Sequence, residues 1–406
     1  MENNIVAPKT EKESVISTVA SVFVSLFFVA GLICLMYVTL TSKKETFSFF
    51  ENRNLSEFPE YTVEGALDGS YFTSVDTYIR EHSAFRTSML KLNTYVDKDI
   101  IRRPVVNDIV IAGDVLLPFN EYEVVDENEI VAQAEGAALK HETTAKTVES
   151  YGGKYYYVAL PTQYMCHGDK YPWYLSDRSE YLAFSSSVFF SELNKRGVSL
   201  IDMMEYYEKA GRPEYFSSGV DHHFGIIGAY ETYLEIVRRF REDTELDIPV
   251  LSESDYVLET VPNKYIGSRS RKIIGMWESD ERLGIIRPKE DIPFERYNNG
   301  FHIAPTLCYL PENENEDVLY TMYMGGDVAH TMIDTGREEL PKVLIYGESF
   351  TNAIETIAWY SFDEMHSIDP RYYKDKTVDE LIAELQPDLV VCVRDYSVLL
   401  REEWSE

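Results

Sequence analysis

The sequence predicts an α/β fold with a mostly parallel sheet and crossover helices, preceded by a membrane-spanning helix. Three observations carry this reading. A strand, helix, strand rhythm runs through residues 154–201, and the same rhythm recurs through residues 342–393. Ahead of both, residues 15–40 hold no charged side chain, and the core of that run, 22–33, is almost wholly apolar.

Taken in order, the apolar run comes first. As a helix it reaches about 39 Å, enough to cross a hydrocarbon layer of roughly 30 Å with some tilt. It is longer than the apolar core of a signal peptide and ends in Thr39-Leu40-Thr41-Ser42-Lys43-Lys44 without a small-residue cleavage site, so an uncleaved anchor is expected. Lys9 and Lys12 flank one end, Lys43 and Lys44 the other, so the basic flanks set no orientation. Residues 1–14 form a short tail, and residues 41–99 a stalk followed by one or two amphipathic helices. The apolar spacing Phe72, Val75, Tyr78, Ile79, then Phe85, Met89, Leu92, Val96 marks those helices. The remainder, 100–406, reads as one α/β domain.

Within it, residues 107–117 alternate like a strand pair about Gly113-Asp114, and 129–150 read as a helix stopped by Gly152-Gly153. Residues 154–160 are a buried strand, 181–195 a helix, 198–201 a short strand and 226–241 a helix. Near the C-terminus come a strand at 342–346, an apolar helix at 350–360 and a short strand at 365–368. Thr377 with Glu380 then forms a capping box that opens a helix to Gln386. The continuous apolar run Leu389-Val390-Val391-Cys392-Val393 has the character of a central parallel strand. Residues 251–334 lack this rhythm and are expected to be an irregular insertion.

The chain carries 38 Lys and Arg against 69 Asp and Glu, a net charge of −31. Phosphate binding needs clustered cations, so a generic nucleic-acid partner is excluded. Four cysteines, one of them Cys34 in the apolar run, do not make a disulfide scaffold.

Two motifs carry chemistry. Gly347-Glu348-Ser349-Phe350 lies where a strand gives way to a helix, which places the Ser349 hydroxyl at the carboxyl edge of the sheet beside helix N–H groups that suit an oxyanion. The bland alternative is that Ser349 does no more than cap the helix. Asp221-His222-His223-Phe224-Gly225 precedes the 226–241 helix. There Asp221 can fix the tautomer of His223 while the other ring nitrogen faces a serine. The same residues also admit a metal site, a weaker reading because adjacent side chains diverge and no regular third cluster follows, or a purely structural cap.

The chain resembles the bacterial DHHW proteins, relatives of the AlgJ/AlgX-type O-acetylation proteins in the SGNH hydrolase-like superfamily. The resemblance rests on Glu51-Asn52-Arg53-Asn54-Leu55 with Pro59, on Asp76, His82 and Phe85-Arg86, and on Asp221-His222-His223-Phe224 followed by Gly228-Ala229-Tyr230. It continues through Tyr323-Met324-Gly325-Gly326-Asp327, Gly347-Glu348-Ser349-Phe350 and Asp369-Pro370-Arg371-Tyr372-Tyr373. It implies a flavodoxin-like three-layer α/β/α sandwich, permuted so that Asp and His precede the Ser. It further implies Ser349 as nucleophile, His223 as general base and Asp221 as its orienting partner. Phe224 stands where the family has Trp, and Glu348 where it usually has Asp.

The resemblance also implies a soluble part outside the cytoplasm, taking acetyl from a membrane-bound O-acyltransferase and passing it to a cell-envelope or exported polysaccharide, with no cofactor or metal. Beside the Ser349 N–H, the second oxyanion donor is sought among Asn352, Arg394 and Tyr396. Gly325-Gly326 offers either a close backbone approach to substrate or a tight turn. The basic stretch Arg269-Ser270-Arg271-Lys272 offsets the overall charge locally, or is a solvated loop. The competing expectations are a catalytically silent envelope-assembly protein that binds glycan, and a teichoic-acid D-alanylation factor.

Overall fold

The computed structural model describes residues 11–120, 122 and 124–401, in two units, Met1–Arg102 and Arg103–Glu406. The tail to residue 10, Lys9 included, lies outside the described residues.

The first unit opens with the helix Glu11–Thr41, of which Ser17–Thr41 is long and apolar enough to cross a membrane. The segment after this helix is more ordered than a stalk. The backbone N–H of Ala84 donates to the hydroxyl of Thr39, in the last turn of the long helix, at 3.0 Å. Glu51 takes both arms of Arg86 at 2.7 and 3.1 Å and one arm of Arg53 at 3.1 Å. Arg53 also reaches Glu81 at 2.6 Å, and Glu81 accepts from the Ser56 N–H. His82 meets the Ser56 carbonyl at 2.9 Å. This charge-assisted clasp holds Glu51 down to about 2 against the opposing effect of its burial. Three helices, Val63–Asp68, Ser70–Glu81 and Arg86–Tyr95, replace the one or two expected, because Gly69 and Phe85, both left-handed at φ 85° and 62°, break the run. Their apolar stripe faces outward: Phe72, Phe85 and Leu92 are each more than 60% exposed.

The second unit is built on an eight-stranded sheet, its strands numbered in chain order. They are β1 Lys154–Leu160, β2 Ser199–Asp202, β3 Glu295–Asn298, β4 Phe301–Ile303, β5 His330–Asp334, β6 Val343–Gly347, β7 Glu364–Ile368 and β8 Leu389–Asp395. Across the sheet the order is β4-β3-β5-β7-β6-β8-β1-β2. The five strands from β7 to β2 are parallel, and β4, β3 and β5 extend one edge antiparallel.

Period-two alternation sends Tyr156, Val158 and Leu160 of β1 to one face, packed with the helices Ile226–Thr244 and Thr351–Ala358. Tyr155, Tyr157 and Ala159 go to the other face, with the helices Glu127–Ser150, Ser179–Lys195 and Val378–Leu385. The result is a three-layer α/β/α sandwich. Its central parallel strands β1, β6 and β8 are almost wholly buried, which is why they read as continuous apolar runs.

Residues 251–334 correct the expectation of an irregular insertion, for they supply β3, β4 and β5. These strands are three to five residues long and only partly buried, so they show no apolar run. The Asn299-Gly300 pair, with φ 52° and 79°, turns β3 into β4, and Asn-Gly is a strong local hairpin signal. A separate antiparallel pair, Tyr256–Thr260 with Gly284–Pro288, lies within the same segment.

The connection leaving β6 runs to β7 on one side, while that leaving β1 runs to β2 on the other. Between them the carboxyl ends of β6, β8 and β1 border a topological switch point, where open α/β sheets bind ligands.

Candidate active site

Ser349 follows the carboxyl end of β6, two residues before the Thr351–Ala358 helix. Gly347 makes the strand exit possible: a Cβ there would lie 2.7 Å from the Val393 carbonyl on β8. The first turn closes by Thr351 N–H to Glu348 O at 2.9 Å and Asn352 N–H to Ser349 O at 3.2 Å.

Asp221 and His223 come from a tight loop before the Ile226–Thr244 helix, pinched by an antiparallel bridge between Ser217 and Phe224. The loop is braced from several directions. Leu116 N–H donates to the Gly219 carbonyl at 2.8 Å, and the Gln163 amide spans the carbonyls of Leu116 and Ser218. Glu281 accepts from Ser218 Oγ at 2.6 Å and from Gly219 N–H at 2.9 Å. Ser218 Oγ in turn accepts from the backbone of Val220 and Asp221.

In this setting His223 Nε2 lies 2.7 Å from Ser349 Oγ, and His223 Nδ1 2.8 Å from Asp221 Oδ1. His223 and Ser349 come from segments 126 residues apart in the chain. Asp221 Oδ1 also accepts from the His223 N–H at 3.1 Å and from Ser268 Oγ at 3.1 Å, while Oδ2 takes the Ser268 N–H at 2.7 Å. Tyr320 stacks on the His223 ring, centroids 3.7 Å apart and planes within 2°, and Phe350 meets it edge-on.

Asp221 and His223 are buried, whereas Ser349 is partly open. Burial opposes the Asp221 charge, but the His223 and His222 imidazoles hold its carboxyl well below the ordinary range. Burial, with the neighbouring His222, pushes His223 down to about 4, against the pull of Asp221. At neutral pH the pair is therefore a carboxylate beside a neutral imidazole. Since Nδ1–H points at the carboxylate, Nε2 is left to accept the Ser349 hydroxyl proton.

Four residues of this arrangement carry no signal of their own in the sequence. Ser268 supplies two hydrogen bonds to Asp221, and Gly267 before it is required: a Cβ would meet the Val220 carbonyl at 2.2 Å. Tyr320 and Glu281 likewise arrive from distant segments. Only the basic character of 269–272 marked that neighbourhood.

No family model and no characterised protein sequence matches the chain. Solved structures do. PatB1 of Bacillus cereus aligns with a TM-score of 0.60 at 18% identity, over 73% of this chain and 99% of that one. PatB1 carrying a sulfonyl adduct aligns at 0.59 and 19%, over 72% and 94%. A DHHW family protein from Eubacterium siraeum DSM 15702 aligns at 0.54 and 19%, over 73% and 93%. The fold is shared with these proteins. The resemblance read in the sequence thus has a DHHW family protein among its structural neighbours.

The remaining candidates divide. Asn352 lies in the first turn after Ser349, its Nδ2 donating to Asp327 Oδ1 at 2.9 Å. Asp327 in turn takes Arg371 at 3.0 Å, which grips Asp369 at 2.6 Å. Gly325 and Gly326, at φ 83° and 97°, form the left-handed turn that delivers Asp327, with the ring of Tyr309 against Gly325. Arg394 is buried at the end of β8, donating to the Arg401 carbonyl at 2.5 Å and facing Glu348 at 3.8 Å. Tyr396 donates to Asp202 at 2.7 Å, tying β8 to the end of β2. The structure thus commits polar groups of Arg394, the penultimate residue of β8, and of Tyr396, just after it, to bracing the carboxyl ends of β8 and β2.

The two departures from the family pattern also have locations. Glu348 uses its extra methylene to reach toward Arg394, and Phe224 packs edge-on against Phe350 at 5.3 Å.

Asp221, His222 and His223 lie close enough for a common ion, with ligand atoms within 4.8 Å of one another. Their near atoms are already paired, both Nδ1 atoms with Asp221 Oδ1, so holding a metal would require undoing the relay.

Proposed function

We propose that the chain is a membrane-anchored, extracytoplasmic serine acyltransferase or esterase that carries acetyl to hydroxyls of an envelope or exported glycan. The single observation that supports this best is the continuous relay from Asp221 through His223 to Ser349 at the open edge of a parallel sheet. His223 takes the Ser349 proton as Oγ attacks the acetyl carbonyl, and returns it to the leaving group as the tetrahedral adduct collapses. The oxyanion is met by the Ser349 N–H at the helix terminus and by the second amide hydrogen of Asn352, whose first is held by Asp327. Attack by a sugar hydroxyl then regenerates Ser349. The apolar Ser17–Thr41 helix supports anchoring, and with it delivery of acetyl by a membrane-bound O-acyltransferase. The sulfonyl adduct of PatB1, a protein of the same fold, suggests the probe.

The test treats the detergent-purified full chain with an activated acetyl ester or an aryl sulfonyl fluoride, then reads intact mass and ester turnover. One adduct on Ser349, lost together with turnover in Ser349→Ala and His223→Ala, is expected. Wild type and variants that behave alike would reduce the protein to a silent glycan-binding role.

A further inference from the structure

His222, the middle residue of the motif, is not part of the relay, yet Asp221 orients it too. Its Nδ1 lies 2.7 Å from Ser268 Oγ and 3.1 Å from Asp221 Oδ1. Ser268 Oγ sends its own hydrogen to Asp221 Oδ1, so toward His222 it is an acceptor. Both neighbours of Nδ1 are then acceptors, and a ring carrying a single proton holds it on Nδ1. That leaves Nε2 with a bare lone pair and no partner among the described residues.

The ring is not buried like its neighbour. Its side chain is 41% exposed, it lies over His223 with centroids 3.7 Å apart, and it borders a cavity of about 420 Å³. Phe350, Thr162, Gln163, Arg269 and Asp395 line the same cavity, which is large enough for a sugar ring and polar on several sides. One carboxylate therefore sets two imidazoles in the same tautomer. The lone pair of His223 faces Ser349, and that of His222 is the free one beside the cavity.

We infer that His222 Nε2 positions the acyl acceptor by accepting a hydrogen bond from the hydroxyl next to the one that attacks, so that the preferred acceptor is a vicinal diol. The inference rests on the acyl-Ser349 reading above. In the transfer step the attacking hydroxyl gives its proton to His223 Nε2 as its oxygen bonds to the acyl carbon. The carbon–Oγ bond then breaks and Ser349 Oγ takes the proton from His223. His222 exchanges no proton and acts only on the neighbouring hydroxyl.

Two substitutions separate this from a merely structural role. In His222→Asn the amide nitrogen replaces Nδ1, keeping the hold on Ser268 and Asp221 while deleting the acceptor at Nε2. In His222→Gln the amide oxygen can stand near Nε2 while the Nδ1 donor is lost. The full chain is acetylated with an activated ester, and transfer to a methyl glycoside bearing a vicinal diol is measured against hydrolysis, with the corresponding monodeoxy glycoside in parallel. In His222→Asn the acyl-enzyme should still form, while the ratio of transfer to hydrolysis for the diol falls about five- to tenfold, the value of one hydrogen bond. The monodeoxy acceptor should show little change, and His222→Gln should recover part of the diol preference. A diol preference that survives in His222→Asn, or a larger loss in Gln than in Asn, would overturn the assignment. Absence of any acyl-enzyme in the wild type would instead remove the Ser349 reading beneath it.

Discussion

At the scale of single residues, the site depends on a glycine with no chemistry of its own. Gly267 lets the 267–268 backbone run against the Val220 carbonyl, and so brings the Ser268 N–H to Asp221. Gly267→Ala forces that backbone apart. A stability loss of about 1–3 kcal/mol is expected from overpacking, read from the urea midpoint, together with a fall in kcat as Asp221 loses its second hold. The relay also predicts an acid limb. Because burial lowers His223 to about 4, the base stays neutral and competent through about pH 5.5, and ester turnover should decline only as pH falls toward 4. An acid limb centred near the ordinary imidazole value, in a kcat/KM profile, would show that the ring is better solvated than the structure has it. Asp221→Asn removes the carboxylate that fixes the tautomer and should lower kcat by about four orders of magnitude. Asp221, His223 and Ser349 were legible because two short motifs carry them. Ser268 and Gly267 were not, since an unremarkable Gly-Ser gains its meaning only when folding lays it against a loop 46 residues away.

At the scale of elements, β3 governs the loop that supplies Tyr320. Arg296, fully buried on β3, donates to the carbonyls of Thr306 and Met324 and to the Asn298 amide oxygen. It thereby fixes both ends of the stretch that stacks Tyr320 on His223. Arg296→Met leaves those acceptors unsatisfied, at about 1–3 kcal/mol for each buried group. Thermal denaturation should show the loss, and turnover should fall with it. Arg296→Lys should not restore either, because one ammonium cannot reproduce the planar fork. The central parallel strands β1, β6 and β8 were readable as apolar runs because both of their faces are buried. β3 to β5 were not, since strands of three to five residues, rich in polar and charged side chains, are too short to show an apolar run. In the first unit the spacing of Phe72 and Leu92 marked helical segments but not the break at Phe85, and spacing alone says nothing of what an apolar stripe will face.

At the scale of the whole molecule, imidazoles held neutral by desolvation should make the fold less stable in acid. His141 on the Glu127–Ser150 helix bonds Tyr155 Oη at 2.7 Å, which in turn meets Tyr346 Oη at 2.7 Å, and burial pushes the ring down to about 3. Between about pH 6.5 and 3 the unfolded chain binds a proton at this residue that the folded chain refuses, so its contribution to stability falls as pH falls. Buried carboxyls such as Glu355, raised by burial, act in the opposite sense, so the sign is tested by difference. The slope of unfolding free energy against pH should be flatter in His141→Gln than in the wild type by up to about 1.4 kcal/mol per pH unit. Equal slopes would mean that His141 protonates in place.

The order of strands across the sheet also sets the order of events during synthesis. β8 lies between β6 and β1 and pairs with both, yet it is the last of the eight strands to leave the ribosome. Until it emerges, the two halves of the sheet have no common partner, and the edge that carries Ser349 has no neighbour on that side. A nascent chain, or one cut short before residue 389, thus lacks the central strand that flanks the Ser349 edge, and under the proposed function it should form no acyl-Ser349.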